Sequence, residues 1–401
     1  MILKPNCEIC DKDLPAERSG AVICSFECSF CESCAERLLG YRCPNCDGEL
    51  LARPKRPTHA LEKHPASRER VSKKHVCQGY QEIEEVLQTT TGALYGSLLL
   101  PAKAPKAWVL IIAGSGATDR NGNTSGQVSG NNCLRYLALG LAAQGIASLR
   151  YDKRGVAASA AAGANESALN FEHYIDDAKA WCAALRLRAT GPVSIVGHSE
   201  GAQIATRVAE KLSVSSVVNL CGAGRALDEI LLEQLRDKLS EPLYKKAEDI
   251  LAYLHELSLH NQDNRKVKPK LLRRFSADVS TAPEVPPELH HLLKKSKHAF
   301  YVSRMRERPD RELGTLRCPV LIASGDADIQ VREVDYKKLC RAKPDAQMLR
   351  VEGMNHLLKS VADDTHLQYK SYVEPSMPVD KQLIESVAAF LLAEKPLKNT
   401  C

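Results

Sequence analysis

Pro192-Val193-Ser194-Ile195-Val196-Gly197-His198-Ser199-Glu200-Gly201-Ala202-Gln203-Ile204-Ala205 is the stretch on which the reading of the whole chain turns. Its first five residues are short, apolar and β-branched, which predicts a buried parallel strand. From Ala202 to Lys211 the pattern has helical periodicity with alanine-rich packing. Between the two, Gly197-x-Ser199-x-Gly201 predicts a sharp strand-to-helix turn. Glycine two residues either side removes the Cβ atoms that would collide with neighbouring main chain. Such a turn lifts the Ser199 hydroxyl out of the sheet. It also leaves the Glu200 N–H at a helix start, where it can donate to an oxyanion. The pentapeptide alone is a weak signal; its place between strand and helix gives it weight.

Around that turn, strand and helix patterns alternate from about Gln81 onward, which predicts an α/β fold with a largely parallel sheet. Strand-like runs fall at 84–91, 92–100, 107–113, 146–151, 193–196, 215–220, 319–323 and 347–351, with helical patterns at 133–143, 174–187 and 382–393. After the seventh run comes Ser324-Gly325-Asp326-Ala327-Asp328-Ile329-Gln330-Val331, and after the eighth Glu352-Gly353-Met354-Asn355-His356. Here His356 can take the Ser199 proton. A carboxylate, Asp328 or Asp326, can hold the imidazole tautomer and stabilise it once charged. Small residues after the third run, Ala113-Gly114-Ser115-Gly116, let backbone N–H groups approach a substrate carbonyl, and the Ser115 N–H is the expected second oxyanion donor.

Eight strands with the serine after the fifth, then acid, then histidine, resemble the α/β-hydrolase fold, here a mostly parallel eight-stranded sheet. Hydrolases of this kind show a G-x-x-D-x-Q-V run, matched from Gly325 to Val331, which points to Asp328 over Asp326. Gly114-Ser115-Gly116-Ala117-Thr118-Asp119-Arg120-Asn121-Gly122-Asn123 resembles the G-S-G-x-x-D-R-N-G-N signature of a bacterial esterase subfamily. Its members also carry D-x-R-G, here Asp152-Lys153-Arg154-Gly155, and N-H-L-x-K, here Asn355-His356-Leu357-Leu358-Lys359. The resemblance runs from roughly Gly92 to the end. It implies hydrolysis of short-chain carboxylic esters through an acyl-enzyme on Ser199, His356 and Asp328, with no cofactor for the chemistry. One departure is Ala113, where many relatives have histidine. Asp119, Arg120, Asp152 and Arg154 read as loop-fixing ion pairs. The same triad serves thioesterases, acyltransferases and peptidases, among which only the pocket decides.

Residues 224–316, after the sixth strand, stand where such folds insert a helical cap. The insertion is rich in charge (Lys266, Lys268, Lys270, Arg273, Arg274, Lys294, Lys295, Lys297), which suits either an anionic substrate or solvated helix faces. His290, His291 and His298 lack the cysteine or carboxylate spacing of a metal site.

Of 15 cysteines, eight lie in the first 46 residues: Cys7-x2-Cys10, Cys24-x3-Cys28-x2-Cys31-x2-Cys34 and Cys43-x2-Cys46. Each Cys-x2-Cys places two thiolates on one tight turn, and eight sulfurs make two tetrahedral zinc sites with no open position for catalysis. So few large apolar residues surround them that metal is expected to supply much of the folding free energy. The order resembles RING-type cross-brace domains. That resemblance implies one zinc on Cys7, Cys10, Cys31 and Cys34 and another on Cys24, Cys28, Cys43 and Cys46; sequential pairing is the rival. Cys24 to Cys28 together with Cys43-Pro44-Asn45-Cys46-Asp47-Gly48-Glu49-Leu50 also resembles a small bacterial cysteine-rich domain of unknown function, over about the first 70 residues.

Three segments are therefore expected: a two-zinc domain at 1–52, a basic linker at 53–80 and the hydrolase domain at 81–401. At 401 residues and 44% hydrophobic content the chain is long enough for two domains with a sizeable core. The start lacks a signal-peptide h-region and no apolar run reaches transmembrane length, so a cytosolic protein off the membrane is expected. A net charge of +6 is small for this size, and the linker has few aromatics to stack on bases, which argues against nucleic acid. The expected partner is a small-molecule ester, with a protein partner reserved for the zinc domain. The reading from another class is a binding protein whose zinc module docks a protein or nucleic acid beside a vestigial hydrolase.

Overall fold

Trp108-Val109-Leu110-Ile111-Ile112-Ala113 is apolar throughout because both of its faces are covered. Val109, Ile111 and Ala113 join one buried cluster, and Trp108, Leu110 and Ile112 join another on the opposite side. Side chains alternate across a strand, so a two-faced core demands an unbroken apolar run. The computed structural model of the chain describes residues 1–9, 11–71, 80–125, 130–163, 169–236, 239–259, 299–362, 364–375 and 377–393.

Two sheets are present among the described residues. The small one carries β1 (Ala21–Ile23), β2 (Ser29–Cys31) and β3 (Leu51–Ala52), with β1 in the centre and both pairings antiparallel. The large one is built from β4 (Gln81–Thr89), β5 (Gly92–Leu100), β6 (Ala107–Ile112), β7 (Ile146–Tyr151), β8 (Val193–His198), β9 (Val217–Leu220), β10 (Val320–Gly325) and β11 (Gln347–Val351). Its order is β11-β10-β9-β8-β6-β7-β5-β4. The β4–β5 and β5–β7 pairs are antiparallel and the remaining pairs parallel.

Strands β5, β7 and β11 have the expected bounds. By contrast β4 begins at Gln81, three residues before the expected start, because its ladder with β5 extends to Gln81↔Leu100. As an edge strand it exposes Gln81, Glu82 and Glu84, so Ile83 is the one apolar residue among its first four and gives only a weak hydrophobic signal. β8 runs two residues further than expected, through Gly197 and His198, which pair with Asn219 and Leu220 of β9. The ladder therefore continues to the residue before Ser199.

Helices Cys133–Ala143 and Lys381–Leu392 cover one face of the large sheet, and helices Phe171–Arg188 and Glu200–Lys211 the other. Leu137, fully buried in the first of these, would cost about 2–5 kcal/mol on truncation to alanine. Helices Leu227–Arg236, Glu241–Leu259 and Ala299–Arg304 form a separate layer with its own core around Leu231, Leu235, Ile250, Leu254 and Val302. They follow β9, where the cap was expected. The cap's basic residues from Lys266 to Lys297, with His290, His291 and His298, lie outside the described residues.

The basic segment read as a linker is held against the small domain as far as residue 71. Arg53 is buried and donates to the Lys4 and Leu14 carbonyls at 2.7 Å each. Arg70 pairs with Asp11 and Asp13, and Asn6 bonds both main-chain groups of Val71. Arginines that composition marks as solvated thus find fixed acceptors, while Lys73 and Lys74 lie outside the described residues. The small domain meets the large one at helix Cys133–Ala143, where Arg135 pairs with Glu36 at 2.8 Å and Tyr41 packs on the core. Among the described residues no helix is long and apolar enough to cross a membrane.

Candidate active site and cysteine clusters

Ser199 stands at the end of β8 with φ 55° and ψ −119°, a left-handed backbone that a residue with a Cβ adopts only under constraint. The constraint is main-chain crowding. A Cβ on Gly201 would sit 2.7 Å from the Ala113 carbonyl oxygen and closer still to that of Ile112. One on Gly197 would strike the Gly201 carbonyl. The Ser199 N–H donates to the Leu220 carbonyl at 2.8 Å, which ties the turn to the neighbouring strand. Glu200 opens the following helix, so its N–H has no acceptor within that helix.

Asp328 and His356 follow β10 and β11, and their side chains meet: His356 Nδ1 lies 2.8 Å from Asp328 Oδ2. The other carboxylate oxygen accepts from the Gln330 and Val331 N–H groups at 2.8 and 2.9 Å. Burial pushes the Asp328 carboxyl up, but the His356 hydrogen bond and these two N–H donors outweigh it and hold the group below its ordinary value. Asp326 instead accepts from the Gly353 N–H at 2.6 Å. Both histidine and acid are nearly inaccessible to solvent.

Two neighbours of this pair carry no sequence signal. His198 bonds the His356 carbonyl through Nε2 at 2.7 Å, and the two rings lie 4.9 Å apart. Burial, then the nearby His356, pushes the His198 pKa down to about 4, so its ring is neutral at pH 7. Cys221, with φ 49°, brings its sulfur within 4.8 Å of the ligand atoms of Asp328 and His356.

The expected oxyanion loop lies against the elbow, since a Cβ on Gly114 would stand 3.2 Å from that of Ser199. Ser115 is exposed at the tip. Asp119 Oδ1 accepts from the Asn121 and Asn123 N–H groups at 2.8 and 2.9 Å. Arg120 grips Asp152 through Nε and Nη2 at 3.1 and 2.9 Å. Arg154 pairs with Asp177 of helix Phe171–Arg188, an anchor the local motif does not contain. Lys153 between them is buried, donating to the Gly114 carbonyl and standing 3.3 Å from Glu200 Oε1. Arg304 of the cap meets the other Glu200 oxygen at 2.7 Å and Gln203 at 2.9 Å.

In the small domain the sulfurs of Cys7, Cys31 and Cys34 lie within 4.8 Å of one another, as do those of Cys24, Cys43 and Cys46. Cys28 hydrogen-bonds with Cys43 and Cys24 and accepts from Asn45 Nδ2 at 3.2 Å. Cys10 lies outside the described residues. Sulfurs each ~2.3 Å from a tetrahedral zinc stand about 3.8 Å apart, so both clusters suit such an ion. None of the seven described cysteines of the domain is in a disulfide. The small domain has candidate metal-binding clusters of a kind compatible with zinc.

An eight-stranded sheet in this order, with a serine elbow after its fifth strand, defines an α/β-hydrolase. The chain belongs to the hydrolase family described as "Serine aminopeptidase, S33", whose profile matches residues 125–360. Residues 1–56 match a second family, "Protein of unknown function (DUF1272)". An uncharacterized protein of Rhizobium meliloti is 57% identical over 75 residues, 19% of this chain and 89% of that protein. Esterase EstD of Thermotoga maritima is 27% identical over 312 residues, 76% of this chain and 66% of its own length. Among solved structures, a thermophilic esterase from Thermogutta terrifontis superposes with a TM-score of 0.43 at 15% identity, covering 78% of this chain and 98% of its own.

Proposed function

We propose that the chain hydrolyses carboxylic esters through an acyl-enzyme. Ser199 Oγ attacks the ester carbonyl while His356 takes its proton, and the tetrahedral oxyanion is held by the Ser115 and Glu200 N–H groups. Collapse expels the alcohol, protonated by His356, and water then repeats the sequence to release the acid. Asp328 fixes the His356 tautomer and stabilises the imidazolium. The observation that carries this reading is the 2.8 Å Asp328–His356 contact at the same sheet edge as a serine held at positive φ.

Short-chain esters are the proposed substrates, supported by the likeness to an esterase; the family's own description names a peptidase, which is the second reading. Turnover of p-nitrophenyl acetate against an aminoacyl p-nitroanilide separates them. Ser199→Ala should abolish turnover and fluorophosphonate labelling in a folded protein. A wild type that does neither overturns the enzyme reading and favours a binding protein.

For residues 1–52 the proposal is two structural zincs in cross-brace pairing, Cys7, Cys10, Cys31 and Cys34 on one and Cys24, Cys28, Cys43 and Cys46 on the other. The grouping of Cys7 with Cys31 and Cys34, rather than with Cys24, supports it. With every thiolate committed, the ions supply folding free energy and leave no position for substrate. A cytosolic location fits reduced thiols, and any protein partner belongs to this domain.

A further inference from the structure

A serine elbow needs its oxyanion donors aimed before substrate arrives, because donors that must reorient lose most of their electrostatic advantage. The Glu200 N–H is aimed by the helix it opens. The Ser115 N–H belongs to an exposed loop, and helix geometry does nothing for it. A peptide unit is planar and trans, so the Gly114 carbonyl and the Ser115 N–H are one rigid plate pointing opposite ways. Whatever holds that carbonyl aims that N–H.

The group that holds it is the Lys153 ammonium, donated from the turn after β7 and almost wholly removed from solvent. The same nitrogen stands 3.3 Å from Glu200 Oε1, and 5.7 Å above the Tyr174 ring. Glu200 is also the residue whose N–H is the other proposed donor. One cation thus contacts the carbonyl whose peptide carries the first proposed donor and the side chain of the residue that carries the second. Its pull on the carbonyl oxygen also polarises the peptide and strengthens the N–H at the far end of the plate.

We propose that Lys153 is a positioning residue for the oxyanion hole, gripping the Gly114 carbonyl so that the Ser115 N–H faces the tetrahedral intermediate. This rests on the esterase reading of Ser199 and assigns a further residue to it. Lys153 touches neither substrate nor nucleophile, so it acts on the rate through the loop. The rival role is charge balance, since Glu200 would otherwise rely on Arg304 alone.

Lys153→Met keeps the aliphatic stem and removes the ammonium. With p-nitrophenyl acetate, kcat should fall about 10²-fold, the scale for one oxyanion donor, with KM nearly unchanged. Inhibition by phenylboronic acid, which mimics the tetrahedral species, should weaken in step with kcat/KM. The double variant Lys153→Met, Glu200→Gln removes the charge that the single variant leaves buried, so it also guards against misfolding. It should remain as slow as the single variant, since the Gly114 carbonyl is still ungripped. Recovery of kcat in the double variant would show charge balance alone and overturn the proposal, as would a single variant within about threefold of wild type. If wild-type protein neither turns over p-nitrophenyl acetate nor labels with a fluorophosphonate, the Ser199 reading has failed, and the role of Lys153 with it.

Discussion

Asp328 faces His356 with one carboxylate oxygen and two backbone N–H groups with the other, so a single side chain is both the partner of the imidazole and fixed in rotation. Asp326, two residues earlier, spends its carboxylate on the Gly353 N–H. Asp328→Asn should therefore lower kcat by about 10³–10⁴-fold with folding intact, the scale set by loss of the correct tautomer. Asp326→Asn should lower it far less. Steady-state turnover of both variants checks the assignment, and equal losses would count against it.

The elbow glycines carry a stability prediction. Gly201→Ala places a Cβ against two main-chain carbonyls that belong to β6 and its end, neither of which can move without disturbing the sheet. Such overpacking should cost about 3 kcal/mol or more. Thermal unfolding should show a Tm lowered by several degrees, and an unchanged Tm would mean the turn is looser than its contacts imply.

Acid should find His198 before it finds the carboxylates. A histidine whose folded pKa lies near 4 resists protonation in the native state, while the unfolded chain takes the proton near 6.5. Stability from this group is thus full above pH 6.5 and declines as pH falls toward 4. Between pH 7 and pH 5 the loss should be about 2 kcal/mol. His198→Gln keeps a donor for the His356 carbonyl and cannot titrate, so it should flatten that part of the profile. Denaturant midpoints at the two pH values measure the difference.

Metal content distinguishes the two ligand pairings. In the cross-brace arrangement Cys7 and Cys31 serve one ion, so the double variant Cys7→Ser, Cys31→Ser should keep one zinc of two. Sequential pairing puts them on different ions and predicts the loss of both. Elemental analysis of purified full-length chain gives the count directly. Chelation should unfold the small domain, because its apolar core, centred on Leu14, Val22, Phe30 and Leu50, is small for its length.

Much of the fold was legible in the order of residues because a parallel sheet covered on both faces writes itself as unbroken apolar runs. β5, β7 and β11 have the bounds their patterns imply. The start of β4 is hard to read because an edge strand with exposed Gln81, Glu82 and Glu84 has the polar pattern of a loop. Of the proposed site, Ser199, Asp328 and His356 are singled out in the sequence by chain order, glycine spacing and the Gly325–Val331 run. Lys153 lies inside the Asp152–Gly155 motif, but its partners, Gly114 and Glu200, are 39 and 47 residues away, so local sequence carries no sign of them.

What the amino-acid order determined by itself was local: the elbow, the strand periods, the cysteine spacing and the residue types able to carry the chemistry. These depend on neighbours within a few bonds, where sterics and burial pattern act directly. Only the tertiary structure decided that Arg154 anchors on Asp177 instead of its own loop, and that an ammonium holds the carbonyl of the oxyanion loop. Those outcomes depend on directions of side chains leaving different strands, and the twist and register of the assembled sheet set those directions.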